Sequence, residues 1–204
     1  MSSNHIFPLL YAAPISYYAQ YIQNPGCIEK TENFTKQSFR TRCRVYGANG
    51  VINLSIPVLS NHTKTVITDV AISNIDAWQR NHWKTLESAY KSSPFFEFYV
   101  HLIQPLFLTP YHNLWAFNMA FHTTILHCLD LHISPSFTHE FSPIQPNDLR
   151  LVYSSKKAHP ISDDFPIYQQ VFSYQGEFET DLSVLDGLFN LGPELENYLR
   201  KLPL

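Results

Sequence analysis

The chain has 204 residues, 45 % hydrophobic and 15 % aromatic, enough apolar material for one buried core and too much for an intrinsically disordered protein. A formal net charge of -3 with only 15 % charged residues excludes the broad basic surface of a general nucleic-acid binder. Cys27, Cys43 and Cys128 are widely spaced and read as reduced thiols, no apolar run approaches a membrane span, and the start of the chain lacks a basic leader, so a cytoplasmic protein is expected.

In chain order, Ile6–Tyr11 reads as a short buried strand. Pro14 opens a helix through Gln23 that carries Tyr17, Tyr18 and Tyr21 and stops at Asn24-Pro25-Gly26. A second candidate strand, Cys27–Glu32, brings Glu29 and Glu32. From Ser38 to Val58 two alternating runs flank Asn49-Gly50, a strong hairpin signal. A two-residue type I′ turn there predicts Val45 opposite Leu54, Cys43 opposite Ile56, Thr41 opposite Val58 and Arg44 opposite Ser55. Arg40, Arg42 and Arg44 then line one face. Side by side they repel one another unless Glu29 and Glu32, or the phosphate or carboxylate of a ligand, sit among them. Val66–Ile72 alternates again and reads as a further strand.

Helices follow. Ser73 or Asn74 caps one through Tyr90, with Ile75, Trp78, Leu86 and Ala89 on its apolar stripe and His82 within it. The next spans Phe95–Leu108 and contains Pro105; the third spans His112–Leu131, with Asn118 and His122 on its inner side. Ile133–Pro166 is rich in Pro, Ser and Asp; within it Leu149–Tyr153 is compatible with a strand and Ser154–Asp164 reads as a long polar loop. Leu182–Asn190 is a helix apolar nearly all round, interrupted by the line Ser183, Asp186, Asn190. Pro193–Leu202 is the last helix. A carboxylate on a buried helix needs partners, and the arginine row is the obvious one.

His82 is either a proton carrier oriented by Asp186 or a core histidine held by one hydrogen bond; the spacing leaves both open. His122, His127 and His132 do not share a helix face, and no compact Cys/His cluster occurs, so no metal is expected. No Gly-x-Gly-x-x-Gly, Gly-x-Ser-x-Gly or phosphate loop occurs, and no cofactor is expected.

Pro14-Ile15-Ser16-Tyr17-Tyr18, Arg40-Thr41-Arg42-Cys43-Arg44-Val45 with Gly47-Ala48-Asn49-Gly50, and Leu54-Ser55-Ile56-Pro57-Val58 resemble the WbqC-like family. So do Trp78-Gln79-Arg80-Asn81-His82-Trp83, Tyr90 with Ser93-Pro94-Phe95-Phe96, and Leu182-Ser183-Val184-Leu185-Asp186. The resemblance implies association with surface-polysaccharide synthesis such as that of O-antigen, and acyl or aminoacyl transfer onto an amino sugar or a similar metabolite. Two departures stand out: Pro8-Leu9-Leu10-Tyr11-Ala12-Ala13 replaces a Gln-Pro-x-Phe-Phe-Pro opening, and Glu29 and Glu32 stand where the family tends to carry aspartates.

The expected fold is a single α+β domain, a small mostly antiparallel sheet packed by aromatic-rich helices: residues 1–72 mainly β with one helix, 73–132 helical, 133–204 loop plus C-terminal helices. The expected site binds a small anionic molecule through Arg40, Arg42, Arg44, Tyr17, Ser183 and Asn190, with His82 and Asp186 catalytic. The alternative is a non-catalytic binding or assembly protein of a cell-envelope pathway.

Overall fold

β1 (His5–Phe7) and β2 (Gly26–Ile28) run side by side in parallel, His5 opposite Gly26 and Phe7 opposite Ile28. Parallel neighbours need a crossover, and α1 (Ile15–Gln23) supplies it. A side chain at position 26 would put its Cβ 2.3 Å from the His5 carbonyl oxygen, so only glycine permits this approach. Backbone bonds from Leu149 to Ile6 and from Ile28 to Ser136 cover the two outer edges. The computed structural model describes residues 5–24, 26–59, 64–141, 143–144, 146–153, 164–173 and 178–204. Most of the predicted Ser154–Asp164 loop lies outside them.

The hairpin forms, but two residues out of the predicted register. β3 (Arg42–Gly47) pairs with β4 (Gly50–Ser55) so that Val45 faces Ile52 and Cys43 faces Leu54. Ala48 and Asn49 make the turn and Gly50 carries the positive φ of 102°, which excludes a type I′ turn at Asn49-Gly50. A slip of two preserves the faces: Cys43 and Val45 remain buried, and Arg42 and Arg44 remain on the other side. Arg40 precedes the strand.

α2 (Trp78–Tyr90) begins later than predicted. Asn74 accepts the Trp78 indole N–H at 3.0 Å instead of capping, and Ile75, expected in the apolar stripe, is 87 % exposed. α3 (Phe96–Leu108) contains Pro105 near its end. α4 (Leu114–Cys128) is capped by Asn113, whose side chain accepts the Ala116 N–H. α5 (Val184–Leu191) and α6 (Leu195–Lys201) are joined by a 3-10 turn. Predicted strand Val66–Ile72 is instead a 3-10 turn, Ile67–Asp69, flanked by single bridges to Asn33, Val58 and Asn113, and among the described residues it pairs with no strand along its length. Leu149–Tyr153 is turn, with only Leu149 bonded to β1. Tyr11, Phe117, Phe121, Tyr90 and Phe189 anchor the core between helices and hairpin. The fold class is α+β: helices with two small sheets. Among the described residues no helix is long and apolar enough to cross a membrane.

Candidate functional site

The three arginines part company. Arg40 is 1 % exposed and grips Glu32 bidentately, Nε to Oε1 at 2.7 Å and Nη2 to Oε2 at 2.5 Å. Its carbonyl oxygen accepts the Asn118 amide at 2.8 Å. Beside this pair Arg150 binds Asp148 and reaches Glu29 at 3.3 Å; Glu29 also accepts from Thr31 and Thr138. Glu32 thus meets one arginine of the row, as expected, while the partner of Glu29 is Arg150. Both ion pairs are buried at the root of the hairpin.

Arg42 and Arg44 are half-exposed. No hydrogen bond or ion pair reaches the Arg42 side chain among the described residues. The Arg44 guanidinium lies 3.8 Å from Glu179, and its carbonyl accepts the Ser183 N–H at 2.8 Å, which brings the segment before α5 against β3. In that segment Asp181 has φ 49° and both its oxygens accept from Ser16, from N–H and O–H at 2.9 Å each. Pro14 at the start of α1 has no side-chain donor or acceptor, so the cap comes from a carboxylate 165 positions away, favourably placed at the positive helix end. The Ser16 hydroxyl also lies 3.2 Å from the Tyr153 hydroxyl. Burial pushes Asp181 up to about 6, against the pull of Ser16 and Arg44.

Asp186 is fully buried in the first turn of α5. It pairs with no arginine and does not touch His82, contrary to expectation. Its Oδ2 accepts the Tyr168 hydroxyl at 2.5 Å and the Gln170 amide at 3.0 Å. Gln170 also bonds both backbone groups of Glu179, tying Asp186 to the segment that holds Arg44. The Tyr90 hydroxyl, itself accepting the Tyr46 N–H, lies close enough to act on the carboxylate but outside bonding geometry to Oδ1, which has no partner among the described residues. Burial pushes Asp186 up to about 6, countered first by Tyr168 and then by Gln170. The other members of its polar line act locally: Ser183 caps α5 and Asn190 donates back to the Asp186 carbonyl.

His82 has the surroundings of a core residue. Its Nδ1 lies 2.9 Å from the Tyr11 hydroxyl, its ring stacks on Tyr11 and meets Trp78 edge-on, and burial lowers its pKa to about 4. Tyr17 is buried too, donating to the Pro8 carbonyl within a cluster of Phe7, Tyr18, Tyr21 and Tyr153. Two concavities lined by described residues, one at the end of α4 around Leu126 and His127 and one beside Phe34 and Val70, include none of these side chains. Among the described residues no group of three His, Cys, Asp or Glu side chains is placed to share a metal ion. Sequence reasoning missed Asp181, Tyr153, Tyr168, Gln170 and Glu179; the one signal was Asp181 itself, which reads as part of the start of α5 and serves α1.

These features define an α+β protein whose hairpin sets the half-exposed Arg44 beside a carboxylate-bearing C-terminal segment. The WbqC-like protein family matches residues 14–160, and the chain belongs to it. It is 24 % identical over 194 residues to the uncharacterized protein Rv1507c of Mycobacterium tuberculosis, a similarity covering 82 % of this chain and 84 % of that one. No solved structure matches the chain. The hairpin arginines and His82 fall inside the family match; Asp181 and Asp186 lie beyond it.

Proposed function

We propose that this WbqC-like protein is a transferase of acyl or aminoacyl type, acting in the cytoplasm on an anionic or amino-sugar metabolite of surface-polysaccharide synthesis. The observation that carries this reading is Arg44, half-exposed between Glu179 and Asp181, with Arg42 two residues along the same strand face. Arg42 and Arg44 hold the anionic end of the substrate, since a guanidinium fork suits phosphate and carboxylate. Asp181, titrating near 6, takes the proton as an amine nitrogen attacks an acyl thioester carbonyl and the thiolate leaves. Asp186 positions that segment through Gln170 and Glu179. Ser183 and Asn190 shape α5, and Tyr17 and His82 support the core. The three unpaired cysteines fit a reducing compartment.

One observation favours a second reading, a non-catalytic binding or assembly protein of the cell envelope: both oxygens of Asp181 are already engaged by Ser16. A thermal-shift screen against phosphate, nucleotide sugars and acyl thioesters, followed by product analysis with an amino-sugar acceptor, separates them. Anion stabilisation lost in the Arg42→Ala/Arg44→Ala double variant, with acylated product, supports the transferase. The same stabilisation without product supports the binding protein. No stabilisation by any anion defeats both.

A further inference from the structure

The outward face of the hairpin carries more donors than the protein uses. In the observed register Arg42 stands opposite Ser55 and Arg44 opposite Asn53, and directly opposed residues of antiparallel strands share a face. The two arginines are about 6.6 Å apart at the backbone along β3, and each is about 5 Å across from its partner on β4. Asn53 and Ser55 are exposed, and their side chains, like that of Arg42, have no hydrogen-bond partner among the described residues. Arg44 meets Glu179 only at 3.8 Å, beyond hydrogen-bond reach. The row is closed at both ends: Arg40 is turned inward onto Glu32, and Tyr46, next on the face, is buried edge-on against Phe172.

This block selects by charge and by length. A carboxylate brings one charge and occupies one guanidinium fork, leaving the other empty. A polyanion such as a nucleic-acid strand would run on past Arg40 and Tyr46, where the face offers it no cation. Two phosphoryl groups joined through one oxygen carry a charge each and suit a pair of guanidiniums set two residues apart, with the Asn53 amide and the Ser55 hydroxyl donating from β4. Resting on the anion-holding role of Arg42 and Arg44 in the proposed transferase, we infer that this face binds a diphosphate diester, the linkage of a nucleoside diphosphate sugar, and that Glu179 sets its selectivity. Gln170 holds the Glu179 N–H and carbonyl at 3.0 and 2.8 Å, which keeps that carboxylate beside Arg44 as a competitor. A singly charged ligand gains little by displacing it. A ligand that also reaches Arg42 is held by the second guanidinium.

Titration calorimetry with dimethyl diphosphate, sulfate and acetate tests this, since sulfate carries the same two charges on one centre and separates length from charge. Dimethyl diphosphate should bind about ten-fold tighter than sulfate, the worth of one added charge-assisted bond. Arg42→Ala and Arg44→Ala should each abolish that advantage, in variants whose circular dichroism shows them folded. Glu179→Gln should strengthen acetate binding more than dimethyl diphosphate binding. A uridine diphosphate amino sugar that binds with the same dependence on both arginines places the linkage in a nucleotide sugar; dimethyl diphosphate binding alone places it in a smaller diester. Sulfate binding as tightly as dimethyl diphosphate, or diphosphate binding that survives both arginine variants, overturns the inference; in the first case the anion-holding role of the arginines stands. Failure of every one of these anions to bind the folded wild type overturns both.

Discussion

Two buried carboxylate clusters lie in this molecule, and they are stabilised in different ways. At the root of the hairpin Glu29, Glu32 and Asp148 are matched by the guanidiniums of Arg40 and Arg150. Before and within α5, Asp181 and Asp186 rely on hydroxyls, amides and backbone N–H groups, with Arg44 acting on Asp181 from nearby. The first arrangement offsets most of the charge with guanidiniums, leaves Glu29 further held by Thr31 and Thr138, and fixes geometry. The second leaves carboxylates whose proton affinity is set by burial, so they respond to pH near neutrality. A fixed anchor and a titratable segment thus meet the same hairpin, the first at Arg40 and the second at Arg44.

The sharpest way to break the contrast is Arg40→Ala. It strands Glu32 in the interior, and a loss of about 3–5 kcal/mol in denaturant unfolding is expected. A loss below about 1 kcal/mol would mean that Glu32 is not held by charge. Next comes pH. Asp186 is raised in the folded state from a usual 3.8 to about 6, so the fold binds the proton more tightly than the unfolded chain does. Its stabilising effect is complete below about pH 4 and disappears as pH rises through about 6. His82 and His122, lowered by burial, act in the opposite sense over an overlapping range, so the informative quantity is the difference between Asp186→Asn and wild type. That difference should shift in favour of the variant by on the order of 2–3 kcal/mol between about pH 4 and pH 7, read from melting curves.

Asp181→Ala removes the α1 cap and should lower stability by about 1–2 kcal/mol, with faster amide exchange in the first turn of α1. The smallest effect on stability belongs to Arg44→Ala. Its half-exposed pair with Glu179 contributes less than about 1 kcal/mol, yet the variant should lose phosphate-induced thermal stabilisation and push Asp181 further up. If Arg44→Ala destabilises as much as Arg40→Ala, the distinction between the two clusters fails.

What was legible in the sequence follows from the range of the interaction. Helices α1 to α6 and the hairpin announce themselves through local periodicity and punctuation, and the Arg40–Glu32 pair joins residues only eight apart. The hairpin register was misjudged because Asn49-Gly50 suits a two-residue turn while Ala48-Asn49 can make one with Gly50 taking the positive φ. Val66–Ile72 alternates like a strand, but alternation cannot report that its neighbours meet it only at single bridges. That Asp186 needed partners was legible from an otherwise apolar helix; Tyr168 and Gln170 were not, because they lie in a stretch without period. His82 showed the opposite limit: a polar residue on an apolar stripe looks alike whether it meets substrate or, as here, Tyr11.

The cap on α1 has a bearing on synthesis. Ser16 leaves the ribosome long before Asp181 is translated, and β1 likewise awaits the backbone of Leu149. The first helix of the chain therefore emerges with its end unsatisfied and can settle only once almost all of the polypeptide is available, a topology that delays closure and exposes apolar tyrosine-rich surface to chaperones in the interval.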